Sequence, residues 1–140
     1  MQSARKMTYP VKKRIRIRNE QGQTMTEFAL VLPILALILF AVIQFGITFN
    51  NYVQLTDATR AGARKAAVSR QVTDPVGTTV AAVRASAKDL KQGDLNVTVS
   101  STWQPTADVS VTATYPYSIS LLGMVVKSGR LSSTTTERVE

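Results

Sequence analysis

The sequence predicts an α+β protein, in which a long N-terminal helix, transmembrane in its first half, precedes an amphipathic helix and a small antiparallel sheet. Three observations predict this arrangement. Residues 28–49 form an uncharged apolar run, residues 76–90 repeat apolar side chains every three or four positions, and residues 95–99 and 109–115 alternate with period two. A chain of 140 residues has room for one small domain besides the membrane segment.

The apolar run Phe28–Phe49 is long enough to cross a membrane. At about 1.5 Å per residue it spans roughly 33 Å, and a hydrocarbon core is about 30 Å thick. A buried helix of a soluble protein is disfavoured, because so small a domain cannot cover a helix that is apolar all round. A cleaved secretory signal is also disfavoured, because residues 44–50 lack the small-residue cleavage pattern. We therefore expect one retained membrane span in a lipid bilayer.

Charge predicts the orientation of the span. Residues 1–22 contain seven Lys or Arg and one Glu, which is +6 of the net charge of +8, and the first basic residue after the span is Arg60. Basic residues favour the cytoplasmic side. We expect a single-pass protein of the inner (cytoplasmic) membrane, with its N-terminus in the cytoplasm and its C-terminal domain periplasmic or extracellular. A basic nucleic-acid arm is the competing interpretation, and we expect no nucleic-acid partner.

Two residues in the span indicate helical neighbours. Pro33 removes a hydrogen bond to the carbonyl of Ala29 and is expected to bend or loosen the first turns, which neighbouring helices can compensate. Gln44 can form a hydrogen bond across a helix pair, a contribution of about 1 kcal/mol. An incidental kink and an interfacial polar residue are the alternatives, and the sequence leaves them open.

The helix is expected to run from Thr24 to about Ser69. Ala58, Gly62 and Ala66 lie four residues apart, and such a stripe permits close approach of another backbone. The helix propensity of alanine is an equally good explanation.

A second helix is expected after a turn. Asp74 can cap it, Pro75 suits its first position, and Gly93 is expected to stop it. One apolar face is expected to comprise Val76, Val80, Val83, Ala87 and Leu90.

The alternating segments predict two half-buried strands joined by a loop at residues 103–105. Pro116, between Tyr115 and Tyr117, is expected to end the second strand because proline cannot donate to a ladder. A weaker third strand is expected at Arg130–Val139.

The composition argues against catalysis. The chain has no cysteine and no histidine, which removes thiol nucleophiles, histidine bases and the usual zinc ligands. Its carboxylates are scattered, and its glycines form no phosphate-binding loop. We expect neither an enzyme nor a cofactor or metal site, and a membrane-bound hydrolase is disfavoured.

The boundary between the basic residues 1–22, which we call the leader, and the membrane span carries the most specific motif. It reads Arg18-Asn-Glu-Gln-Gly22-Gln23-Thr-Met-Thr-Glu27-Phe28, and this resembles a prepilin peptidase site, with Gln23 as the first mature residue and Glu27 as the fifth. The continuation to Pro33 resembles the TadE-like family of the bacterial Tad (tight adherence) pilus system. The segments at residues 60–67, 111–117 and 136–140 also look like that family.

The resemblance implies a minor pilin or pseudopilin, that is, a structural subunit for assembly of a Tad-type pilus or related secretion system. Its implied partners are a prepilin peptidase, other pilin-like subunits and inner-membrane platform proteins. Together with the patterns described above, it predicts three segments: a cleaved basic leader (1–22), the transmembrane helix with its external continuation (23–70), and an external α+β domain (71–140). The alternative is a single-pass, membrane-tethered interaction domain that is neither processed nor polymerised.

Three residues near the motif bear on assembly. Glu27 is expected to pair with the N-terminal amine created by the cut, in its own chain or a neighbour, although a simple helix-end charge is the alternative. Gln23 stands where many type IV pilins have phenylalanine, and it can cyclise with loss of the amine. Phe28 stands where the major Tad pilins have tyrosine.

Overall fold

The computed structural model describes residues 20–121 and 123–140, so most of the basic leader lies outside the described residues. The elements in chain order are α1 (Glu20–Ala67), α2 (Pro75–Ser86), β1 (Asn96–Ser101), β2 (Asp108–Leu121) and β3 (Met124–Arg138). The predicted α+β class, with a long apolar helix, a second helix and a small antiparallel sheet, is confirmed. Within the described residues the chain divides into two compact units, one that ends at Leu35 and one that comprises Ala36–Glu140.

Helix α1 contains the only described segment that could cross a membrane by length and composition. Within Gly22–Ala67 the most apolar window has a mean hydropathy of 2.8, and none of it is buried inside the protein. The helix ends two residues before the predicted Ser69. There the Ser69 amide donates to the Ala66 carbonyl at 2.9 Å, and the Glu140 amide donates to the Ala67 carbonyl at 3.0 Å. The chain's last residue therefore completes the end of α1.

The predicted start of α2 is confirmed. Asp74 is the N-cap, its Oδ1 accepts from the Gly77 amide at 2.8 Å, and Pro75 occupies the first turn. Of the predicted apolar face, Val83, Ala87 and Leu90 are buried and Val80 is half-buried. The prediction is wrong for Val76, which is exposed at the N-terminal end of the helix.

The predicted stop at Gly93 is also wrong, because α2 ends at Ser86. The side-chain amide of Gln92 donates to the carbonyls of Ala87 (2.7 Å) and Leu90 (3.2 Å). Side-chain donors thus satisfy carbonyl groups at this helix end, as they commonly do where no further helical turn follows. Arg84 also donates to the Gln92 carbonyl at 2.8 Å and holds the turn in place.

The sheet has the order β1-β2-β3 and is antiparallel throughout. The prediction that residues 115–117 end β2 is wrong, since β2 continues to Leu121 with Pro116 opposite Arg130. The reason is that β1 pairs with β2 only as far as Thr114, so one edge of β2 is unpaired beyond that point. Proline is tolerated at such an edge. Strand β3 accordingly starts at Met124, earlier than the predicted Arg130.

The core lies between the last third of α1, α2 and one face of the sheet. Its buried members are Leu55, Ala58, Ala63, Ala66, Val83, Ala87, Leu90, Leu95, Val109, Val111, Ala113 and Val139. The alternation of Val109, Val111 and Ala113 with half-buried polar residues shows that one face of β2 packs on the helices, as the period of two predicted.

Candidate functional site

The residues of the predicted processing site lie at the beginning of α1. Gly22 and Gln23 are both exposed. The Gly22 carbonyl accepts a hydrogen bond from the Thr26 hydroxyl at 2.9 Å. Because α1 begins at Glu20, the peptide bond between Gly22 and Gln23 lies within the first helical turn, where the backbone N–H groups have no partner inside the helix.

Glu27 is the only charged residue in the sequence between Glu20 and Asp57. Its side chain is exposed, and its Oε1 accepts a hydrogen bond from Gln23 Nε2 at 3.0 Å. In this uncut chain Glu27 lies about two turns from the start of α1, and the helix dipole acts mainly within the first turn. The dipole alone therefore gives Glu27 little stabilisation.

Phe28 and the apolar residues after it are uncovered. Phe28 is 60% exposed, and large apolar side chains on all sides of the helix are exposed as far as Phe49. Helix α1 continues without interruption through Pro33, which lies inside this run. A helix with an uncovered apolar surface on every side is suited to lipid or to the helices of other subunits.

Gln44 lies on a distinct side of α1. Within the second compact unit, Gln44, Thr48 and Asn51 are half-buried and Leu55 is fully buried, and their spacing places them on one helical face. The Gln44 carbonyl accepts from the Thr48 hydroxyl at 2.9 Å. Phe45 and Phe49, by contrast, are exposed. The side of α1 that faces the core thus continues as a partly covered polar stripe into the apolar run.

The predicted small-residue stripe packs inside the domain. Ala58, Gly62 and Ala66 are all buried. A Cβ atom placed on Gly62 would lie 2.3 Å from Val83 Cγ2 and 3.4 Å from Val111 Cγ1. Gly62 therefore allows α2 and β2 to approach α1 closely within the same chain.

A buried hydroxyl cluster, which the sequence analysis missed, joins α1 to β3. Thr59 is fully buried and its hydroxyl donates to the Thr56 carbonyl at 2.8 Å. The Thr59 hydroxyl also shares a hydrogen bond with Ser133 and accepts one from Thr135, each at 3.1 Å. Satisfied polar groups of this kind fix the register of packed elements. The Thr-rich composition of β3 was the available signal, but it did not identify the partner on α1.

These features define a protein with one apolar anchor helix that continues into a small α+β domain. Residues 22–64 match the family model described as TadE-like protein. The match covers just under a third of the chain and lies entirely within α1. It confirms the predicted resemblance at these residues and associates the protein with the Tad pilus machinery. No curated protein and no solved structure matches the chain.

Proposed function

We propose that this protein is a minor pilin or pseudopilin, a structural subunit of a Tad-type pilus machine with no catalytic activity. One observation carries the proposal: the apolar run of α1 is uncovered, and Glu27, the only charged residue between Glu20 and Asp57, directly precedes it, five residues after Gly22. The TadE-like match includes all of these residues.

Processing is the first step of the proposed function. A prepilin peptidase cuts after Gly22 and removes the basic leader, which until then holds the N-terminus in the cytoplasm. The cut creates an amine on Gln23, four residues before Glu27. If Gln23 cyclises, that amine is lost and Glu27 takes a backbone N–H of a neighbouring helix as its donor.

Docking is the second step. In the bilayer the apolar run packs against the helices of other pilin-like subunits and of inner-membrane platform proteins. A charge left unpaired in such a contact costs several kcal/mol, so Glu27 selects a neighbour that offers a positive or N–H group. The external domain remains on the side of the membrane that faces away from the cytoplasm.

The external domain offers a surface for contacts but no evident catalytic arrangement among its described residues. A cleft of about 730 Å³ is lined by Lys91, Asp94, Tyr115, Tyr117 and Arg130, among others. The hydroxyl groups that line this cleft have no neighbouring histidine that could act as a base, because the sequence contains no histidine. This supports a structural function over hydrolysis.

Mass spectrometry of the protein from its native host tests the proposal. We expect the mass of residues 23–140, with either a free or a cyclised Gln23. The Gly22→Leu variant is the matched control, because a side chain before the cut should obstruct a narrow peptidase slot while membrane insertion is unaffected. Wild-type protein that keeps residues 1–22 would refute the proposal.

The same measurement tests the second candidate, a tethered interaction domain that keeps its leader. The observation that favours it is the start of α1 at Glu20, which places the bond to be cut inside a helix. An uncut wild-type chain in cells with an active prepilin peptidase would support this candidate.

A further inference from the structure

The hairpin of β2 and β3 extends well beyond the rest of the sheet. Strand β1 ends its pairing at Thr114, but β2 and β3 remain paired as far as Leu121 and Met124. At the tip, Gly123 has a φ of +83°, a conformation that glycine adopts readily. Met124, Val125 and Val126 are exposed by 71%, 64% and 63%. We call residues 123–126 the hairpin tip; three adjacent exposed apolar side chains there indicate a contact surface.

The direction of the hairpin follows from two contacts with α1 inside the second compact unit. Near the middle of β3, Ser133 shares a hydrogen bond of 3.1 Å with Thr59. At the end of the chain, the Glu140 amide donates to the Ala67 carbonyl at 3.0 Å. Residues later in β3 and in the segment after it thus contact residues later in α1, so β3 and α1 run in parallel directions. The hairpin tip, at the start of β3, therefore points toward the apolar run.

The lengths show how far the tip reaches. Between the two contacts, residues 133–140 span about 23 Å of extended chain and residues 59–67 span about 12 Å of helix. Each ångström along the strand therefore corresponds to about half an ångström along α1. From Ser133 back to Met124 is about 30 Å of strand, equivalent to about 15 Å of helix. From Thr59, about 15 Å back along α1 is Phe49, the last residue of the apolar run.

The burial pattern of α1 agrees with this estimate. The half-buried residues Thr48 and Asn51 continue the buried side of the helix to the end of the apolar run. Coverage on that side is expected if the hairpin passes along it as far as the end of the apolar run.

We propose that the hairpin tip is a second membrane contact, which inserts into the interfacial layer of the bilayer that α1 spans. Residues 109–136 contain two basic residues, Lys127 and Arg130, and no acidic residue. Both are exposed, immediately beyond the apolar tip. Apolar side chains that enter the acyl boundary while basic side chains reach anionic headgroups are the combination that favours interfacial binding. The contact requires α1 to span the membrane but requires neither cleavage nor assembly.

The experiment uses the full-length chain, which has no natural cysteine to remove. Val125→Cys carries an environment-sensitive fluorophore and is reconstituted in vesicles with equal phosphatidylcholine and phosphatidylglycerol. The matched control is Gln104→Cys, exposed in the loop between β1 and β2 at the other end of the sheet. We expect a blue shift and strong quenching by shallowly brominated lipid for the label at position 125, and neither change at position 104.

A charge variant tests the role of the basic residues. In the Val125→Cys background, Lys127→Glu should reduce the quenching in vesicles that contain phosphatidylglycerol and have less effect in pure phosphatidylcholine. Circular dichroism of each variant verifies the fold, which substitutions at exposed positions should leave intact.

Two outcomes would overturn the proposal. Water-like emission without quenching at position 125, equal to that at position 104, would show that the tip does not enter the bilayer. The second outcome is shielding that grows with the protein-to-lipid ratio without lipid quenching, accompanied by a disulfide between the introduced thiols of two unlabelled Val125→Cys chains. That result would assign the tip to a contact between copies of the chain.

Discussion

Gly62 lies where α1 packs closely against α2 and β2, and Gly62→Ala tests whether the small-residue stripe serves this packing. The added methyl would lie 2.3 Å from Val83 Cγ2, far inside van der Waals contact, and 3.4 Å from Val111 Cγ1. Val83 is fully buried and β-branched, so it cannot rotate away freely. We therefore expect α2 to be displaced from α1 in this variant.

The expected change in the free energy of unfolding of Gly62→Ala is the difference between two effects. Overpacking in a well-packed core costs about 1–3 kcal/mol. Replacing a helical glycine by alanine stabilises by up to about 1 kcal/mol. The expected result is a net destabilisation of about 1 kcal/mol, which lowers the melting temperature by roughly 4–8 °C in a domain of this size.

The assay is thermal unfolding of the full-length protein in detergent micelles, followed by circular dichroism. Gly46→Ala is the matched control, because a Cβ at that helical glycine meets nothing within 4 Å. Val83→Ala alone should destabilise by about 2 kcal/mol through cavity formation. The double variant Gly62→Ala/Val83→Ala should cost clearly less than the sum, because the new methyl occupies the vacated space. Additive effects, or a stabilised Gly62→Ala, would refute the intramolecular packing of the stripe.

Three further predictions concern orientation, assembly and capping. Gln104→Cys should react with a membrane-impermeant thiol reagent once any outer membrane is permeabilised; reaction only after lysis of the inner membrane would reverse the proposed topology. Glu27→Gln should insert and be cleaved normally but co-purify less with other Tad components, because it removes the charge that docking requires; normal association and normal pili would reduce Glu27 to a helix-end charge. Asp74→Ala should destabilise the domain by about 1 kcal/mol in thermal unfolding through loss of the cap on the Gly77 amide, whereas the exposed Asp89→Ala should not; equal effects would argue against the cap.

Local signals were enough to predict much of the fold. Asp74 and Pro75 specify the start of α2 through a cap and a fixed φ, and both act within one turn of chain. The alternation of Val109, Val111 and Ala113 predicted which face of β2 is buried, because side chains of a strand point alternately to its two sides.

The sequence was less informative where a residue outside the element decides the outcome. Pro116 is compatible with β2 only because β1 ends its pairing at Thr114, and no local rule shows where a neighbouring strand stops. The end of α2 depends on Gln92, whose side chain returns to the carbonyl of Ala87. The role of Gly62 depends on Val83, a residue of another helix. The structural effect of each of these proline, glycine and glutamine residues therefore depends on its tertiary contacts.

Helix α1 has two kinds of surface in succession, one uncovered and one packed inside its own domain. From Leu55 onward its small residues are buried by α2 and the sheet, so this part is committed to its own domain. Before that point the large apolar side chains are uncovered, and lipid or other helices must cover them. The TadE-like match at residues 22–64 includes both surfaces but stops before α2 and the sheet. The residues that match the family therefore comprise the apolar run together with small residues, such as Gly62, that pack α1 against α2 and the sheet.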